Sequence, residues 1–193
     1  MKKLIIGVTG ASGSVLAYRL CKVLLELQHE VHLVATINGQ RVWDYELEES
    51  FASFCAGYQQ DSGRLVVHAN DNLFAAISSG SFKADAMVIL PCSMGTLAKV
   101  AIGLADSLLT RAADVVLKEH RSLLLVPRET PLSAIHLENM LKLSRLGVMI
   151  MPPIPAFYHK PQTLEESIDL TIGRILESLE IENPYHRSWR GLP

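Results

Sequence analysis

Two hydrophobic rhythms alternate along this chain. Short unbroken apolar runs at Lys3–Val8, Val31–Ala35, Ala86–Leu90 and Leu123–Val126 are bounded by glycine, proline or polar residues. Such runs read as strands buried on both faces, as in a parallel sheet. Between them, apolar positions recur every three or four residues. Leu16, Leu20, Val23, Leu24 and Leu27 form a helical stripe over Ser14–Leu27. Leu108, Leu109, Ala112, Val115 and Val116 form another over Ser107–Glu119. Ser133–Leu146 reads as a helix stopped by Gly147, and Val148–Met151 as a last strand. Thr163–Leu179 is a helix with Thr163 and Glu166 as its capping box. Leu65–His68 is a short strand. The stretch 38–63, with its acids Asp44, Glu46, Glu48 and Glu49, reads as partly helical. Pro91 and Pro127 are expected to end their strands.

Strands alternating with helices predict a three-layer α/β/α domain of Rossmann-like type around a parallel sheet. Ligands bind such sheets at the carboxyl ends of the strands. The segments that fall there are Gly10–Gly13, Thr36, Pro91–Thr96, Pro127–Thr130 and Pro152–Tyr158. A length of 193 residues suits one domain. Residues 1–182 are read as that domain. Residues 183–193 are read as a tail, carrying Trp189, that packs on a neighbouring subunit.

A net charge of −2 with dispersed Lys and Arg argues against a nucleic-acid binder held by bulk charge. The mean hydropathy of +0.22 is high, yet no apolar run approaches the roughly 18 residues of a membrane helix. The apolar excess therefore belongs in a core or in subunit interfaces. Three cysteines, Cys21, Cys55 and Cys92, without C-x-x-C spacing predict neither a disulfide framework nor a zinc site. A cytoplasmic protein with reduced thiols is the expectation.

The first strand-to-helix turn carries Gly7, Gly10 and Gly13, with Ser12 and Ser14 at the helix start. Small residues there let the backbone approach a phosphate. The spacing matches neither the dinucleotide nor the Walker fingerprint. The second strand ends Ala35-Thr36-Ile37-Asn38, without the carboxylate that holds a nicotinamide ribose, which leaves room for a mononucleotide such as FMN. Ser93 and Thr96 suit a phosphate, a flavin edge or a plain helix cap. Cys92 has no histidine near it in sequence and reads as a buried thiol. Arg111 and Lys118, seven apart, share a helix face. With Arg128, Tyr158 and Arg174 they make an anion pocket if they converge, and surface charges if they do not. His29 and His32 point to opposite faces of a strand, so no metal site is expected. Trp43 reads as a packing residue.

In series, Gly7-Val-Thr-Gly-Ala-Ser-Gly13, Pro91-Cys-Ser-Met-Gly-Thr96, Leu109-Thr-Arg-Ala-Ala-Asp-Val-Val-Leu-Lys-Glu119, Leu125-Val-Pro-Arg-Glu-Thr-Pro-Leu132, His136-Leu-Glu-Asn-Met140 and Met151-Pro-Pro-Ile-Pro-Ala-Phe-Tyr-His-Lys-Pro161 resemble the UbiX-like flavin prenyltransferases. The resemblance implies a homododecameric flavoprotein with sites between subunits. It implies a metal-independent transfer of a dimethylallyl group from dimethylallyl phosphate to N5 and C6 of reduced FMN. The product, prenylated FMN, serves UbiD-like decarboxylases, in ubiquinone synthesis or aromatic acid breakdown. Carried over by residue, Gly10, Ala11, Ser12, Thr36, Ser93, Met94, Gly95, Thr96 and Arg128 match FMN contacts. Arg111, Lys118, Tyr158, Arg174 and Trp189 match the prenyl phosphate site. Glu46, Glu129, Ser12 and Lys118 match the catalytic groups. Thr36 stands where the family usually has serine, Asn38-Gly39 departs from the usual small apolar pair, and 45–80 diverges. The same fold also serves FMN-dependent decarboxylases of peptidyl or pantothenoyl cysteine, and a non-catalytic flavin carrier for an aromatic acid decarboxylase. The Ala156-Phe157-Tyr158 segment and Arg174 favour a prenyl phosphate.

Overall fold

The computed structural model describes residues 1–185, apart from the side chains of Asp61 and Ser62; Trp189 lies outside the described residues. The chain divides into two compact units, Met1–Pro152 and Pro153–Pro193. In chain order the first unit contains β1 (Lys3–Val8), α1 (Ser14–Glu26), β2 (Glu30–Ala35), α2 (Ile37–Glu46) and α3 (Phe51–Ser62). It continues with β3 (Leu65–His68), β4 (Ala86–Cys92), α4 (Met94–Ile102), α5 (Leu108–Lys118), β5 (Ser122–Pro127), α6 (Ala134–Arg145) and β6 (Met149–Ile150). The strands pair in the order β3-β2-β1-β4-β5-β6, every pair parallel. This is the Rossmann order, and it reverses between β1 and β4.

Both faces of the sheet are covered, which is why the central strands are apolar throughout. All seven residues of β4 are buried, as are Leu4–Val8 and Val31–Ala35. Ile5, Met87, Ile89, Leu123 and Leu125 join a core with α4, α5 and α6. Their strand neighbours Leu4, Ile6, Val88 and Leu124 are equally buried and point the other way, as alternation requires. That second face meets α1. On α1 an aromatic cluster binds the α2–α3 pair. The Trp43 ring lies 6.0 Å from Tyr18, 5.4 Å from Phe51 and 5.2 Å from Phe54.

The expectation that Pro91 ends its strand is corrected. β4 runs through Pro91 to Cys92, with a register irregularity between Ile89 and Cys92 that absorbs the missing N–H. The Pro91 carbonyl is fully used by Thr9, described below. The predicted strand Val148–Met151 contracts to two residues. Two capping boxes escaped the sequence reading: Ser107 with Thr110 at α5, and Ser133 with His136 at α6. His32 is buried and hydrogen-bonded to His68 and to Glu30.

The second unit holds a 3-10 turn at Phe157–His159 and α7 (Leu164–Ser178). Thr163 caps α7 by accepting the Glu166 N–H, but the expected reciprocal bond is absent: the Glu166 carboxylate accepts from Gln162 N instead. Arg174 is ion-paired with Glu177, whose other oxygen accepts Asn183 Nδ2 at 3.0 Å. Asn183 in turn accepts Tyr185 N at 2.9 Å.

Candidate functional site

The site begins where β1 ends. Gly13 turns the chain into α1 with φ 112°, a left-handed conformation that favours glycine. Gly13 has no side chain to cap α1, so the cap comes from 33 residues away. The carboxylate of Glu46, the last residue of α2, accepts Gly13 N at 2.9 Å and Ser14 N at 2.8 Å. Burial alone would raise the Glu46 pKa. Hydrogen bonds from the Ser12 hydroxyl and from those two amides outweigh it and hold the carboxyl below its ordinary range. The first amides of α1 thus already hold an anion belonging to the chain. Glu46 is fixed from behind: Trp43 Nε1 donates to Glu49 O at 3.1 Å, and Phe51 N donates to Asp44 Oδ1 at 2.7 Å. These bonds lock the α2–α3 turn that follows it.

At the order reversal, Thr9 ties β1 to β4. Its fully buried hydroxyl donates to Pro91 O at 2.7 Å and accepts Ser93 N at 2.8 Å. Ser93 then caps α4 through Thr96 N. Thr36 caps α2 by accepting Gly39 N at 3.0 Å. A Cβ at residue 39 would lie 2.6 Å from the Val8 carbonyl, so the close approach of α2 to β1 requires glycine here. A Cβ on Gly10 would lie 2.7 Å from that of Asn38. Arg128 reaches back from the end of β5, its Nε donating to Ser12 O at 3.2 Å. Glu129 accepts Thr130 N at 2.9 Å. A cavity of about 500 Å³ opens beside these loops, lined among others by Thr36, Asn38, Arg41, Asn70, Thr96 and Thr110. Its size is that of a small-molecule site, typically about 300–1,000 Å³.

The other predicted residues are placed differently. Arg111 pairs with Asp114 at 2.6 Å and donates from Nε to Ser78 O at 3.1 Å. Lys118 pairs with Glu119 at 2.7 Å, and this contact holds the Glu119 carboxyl below its ordinary range. Lys118 ends α5, about 15 Å along the axis from Leu108. In a parallel sheet the start of α5 lies at the carboxyl edge and its end at the opposite edge. One chain therefore does not bring Lys118 to Ser12 and Glu46. In the second unit, Tyr158 is exposed within its 3-10 turn and Arg174 is held by Glu177.

The flavoprotein family model matches residues 1–182. A probable UbiX-like flavin prenyltransferase of Escherichia coli O157:H7 is 47% identical over 192 residues, which is 99% of this chain and 94% of that protein. The chain belongs to the UbiX-like flavin prenyltransferases. Among solved structures, AnUbiX in complex with FMN and dimethylallyl pyrophosphate superposes with a TM-score of 0.93 at 40% identity, covering 100% of this chain and 99% of that one. A dodecameric FMN-dependent UbiX-like decarboxylase from Escherichia coli O157:H7 gives 0.92 at 46% identity, covering 98% and 100%.

Within this flavin prenyltransferase scaffold, three site-building residues went unnoticed in the sequence. Arg41 lines the cavity one turn beyond the Thr36 cap. Asn70 caps α5 twice, its carbonyl accepting Leu108 N and its Oδ1 accepting Leu109 N. Thr9 looked like one more residue of the glycine loop. Cys92 is buried, and burial pushes its thiol up to about 12, so it is no nucleophile. No cluster of three or more metal-ligating side chains occurs among the described residues.

Proposed function

We propose that this protein transfers a dimethylallyl group from dimethylallyl phosphate to N5 and then C6 of reduced FMN, releasing phosphate and closing a fourth ring. One observation carries the reading. Ser12 with Glu46 and Arg128, and the cavity-lining Thr36 and Thr96 with Ser93, follow the carboxyl ends of strands in a chain that superposes on a protein solved with FMN and dimethylallyl pyrophosphate. The residues fit a flavin mononucleotide as acceptor substrate. Gly10, Ala11 and Ser12 leave the backbone open to it, Thr36, Ser93 and Thr96 supply hydroxyls, Met94 and Gly95 start α4 beside it, and Arg128 supplies a cation.

The remaining roles follow the residue types. Glu46, held ionised, accepts a proton through the Ser12 hydroxyl it already binds. The proton leaving N5 is returned to the prenyl double bond, C6 attacks the carbon so activated, and Glu129 serves as the acceptor of the C6 proton. Lys118, Arg111, Arg174 and Tyr158, with Trp189, hold the donor phosphate as its allylic C–O bond breaks and the electron pair leaves on oxygen. No metal is required, because fixed cations stabilise that charge. Since α5 runs from the carboxyl edge at Arg111 to the opposite edge at Lys118, a neighbouring subunit supplies Lys118, within a homododecamer. Residues 1–182 act as the flavoprotein domain, and the tail from 183 packs on a neighbour. The protein works in the cytoplasm, and its product passes to a UbiD-like decarboxylase of ubiquinone synthesis or aromatic acid breakdown.

The test is anaerobic incubation with reduced FMN and dimethylallyl phosphate, followed by mass measurement of the released flavin. A gain of one dimethylallyl unit, absent with boiled protein, is expected. Unmodified FMN from a protein that binds it would overturn the reading in favour of a thiol-oxidising decarboxylase or a flavin carrier.

A further inference from the structure

Thr9, Ser93 and Thr96 are joined in series from the centre of the sheet to the cavity, first through the Ser93 backbone N–H and then from hydroxyl to hydroxyl. Thr9 is fully buried. Its proton goes to Pro91 O, so its lone pair is what receives Ser93 N. Ser93 Oγ accepts Thr96 N and gives its own proton to Thr96 Oγ1 at 3.1 Å. Thr96 Oγ1 is thereby an acceptor on the protein side. Its own proton is left to point elsewhere, and Thr96, 8% exposed, lines the cavity. The first link is to the Ser93 backbone and fixes where Ser93 stands; the second fixes polarity, because a Thr96 oxygen that accepts from Ser93 has its own proton free for another acceptor.

We infer that Thr9 is a positioning residue: by holding Ser93 N it seats the cap whose hydroxyl donates to Thr96 Oγ1, and so aims the Thr96 hydroxyl proton at an oxygen of the bound flavin. The inference rests on the flavin reading above and goes beyond it. It assigns a role to a residue that touches no ligand and sits at the reversal of strand order. Valine at position 9 keeps the shape and β-branching of threonine and the backbone bond from residue 9 N to Pro91 O. It removes the hydroxyl, frees Ser93 N and loosens the α4 start that aims Thr96. Serine keeps the hydroxyl and restores the series.

The experiment is FMN titration of wild type, T9V, T9S, T96V and T9V/T96V, with thermal melting of each flavin-free protein. T9V is expected to weaken FMN binding about tenfold, the worth of one well-placed hydrogen bond. T9S should stay close to wild type, and T9V should add little to T96V because both act on one contact. At saturating FMN, T9V should keep the wild-type KM for dimethylallyl phosphate. FMN binding by T9V equal to wild type would overturn the inference, as would losses that add in full in the double variant. If T9V does not fold, T9A carries the test: it too removes the hydroxyl that receives Ser93 N and should weaken FMN without adding to T96V. Wild-type affinity in T9A would overturn the inference. A wild type that takes up no FMN overturns the functional reading itself, whereas a wild type that binds FMN alongside an unaffected T9V overturns the Thr9 role alone.

Discussion

The carboxyl edge of the sheet and the outer face of α5 both carry charged groups, but they are built differently. At the edge, Glu46 and Arg128 are bonded to backbone groups of a distant loop, Gly13, Ser14 and Ser12. Their positions are set by the fold of one chain. On α5, Arg111 and Lys118 pair with carboxylates three and one residues away, and the Lys118 side chain is 48% exposed. An exposed pair of this kind is worth at most about 1 kcal/mol. Such a cation is easily surrendered to a stronger anion brought to it. The edge is fixed by contacts between distant segments; the α5 face carries charges held only by near neighbours in sequence.

The sharpest way to break this contrast is to separate the two regions onto different chains. K118A should lower prenyl transfer by about 10²–10³-fold, the usual loss for a group that stabilises developing charge, while FMN binding is spared. G10V, which drives a side chain into Asn38, should lose FMN binding instead. Oligomers assembled from both variants should recover part of the activity, read by flavin mass. No recovery would place Lys118 in the site of its own chain.

A smaller effect sharpens the edge half of the comparison. E46Q should cost about 1 kcal/mol, the value of a helix cap, measured by melting. The folded Glu46 pKa is depressed, so its stabilisation is complete above the ordinary value near 4.5 and is lost as pH falls through the lowered value. The gap between wild type and E46Q should therefore close in acid and stay constant from pH 6 upward. The smallest expected effect lies on α5. D114N should change stability by less than about 0.5 kcal/mol, because Arg111 keeps its bond to Ser78 O. A larger loss would mean that the α5 face is as firmly built as the edge.

The strands were legible because each central one is an apolar run flanked by breakers. The extension of β4 past Pro91 was not, since it depends on Thr9 making use of a proline carbonyl across the sheet. The helices at 37–62 were blurred in sequence because their apolar residues serve a local aromatic cluster rather than one long stripe. Glu46 was named only through family resemblance, and its seat on the α1 amides is a contact across 33 residues that no local pattern encodes. For Arg111 and Lys118, spacing revealed a shared helix face but not where that face is carried. Ser93 was readable as a cap, and the structure adds that Thr36 caps α2 and lines the cavity, while Ser93 caps α4 through Thr96, which lines it too.

The aromatic cluster behind Glu46 also has an optical consequence. The chain contains two tryptophans, Trp43 and Trp189. Trp43 is shut away from water among Tyr18, Phe51 and Phe54, with its indole N–H bound to a carbonyl. Replacing Trp189 by phenylalanine leaves one buried emitter fixed to the helix that presents Glu46. Its emission overlaps flavin absorption, so energy transfer from Trp43 gives a direct light signal of flavin arriving at the carboxyl edge, without any added label.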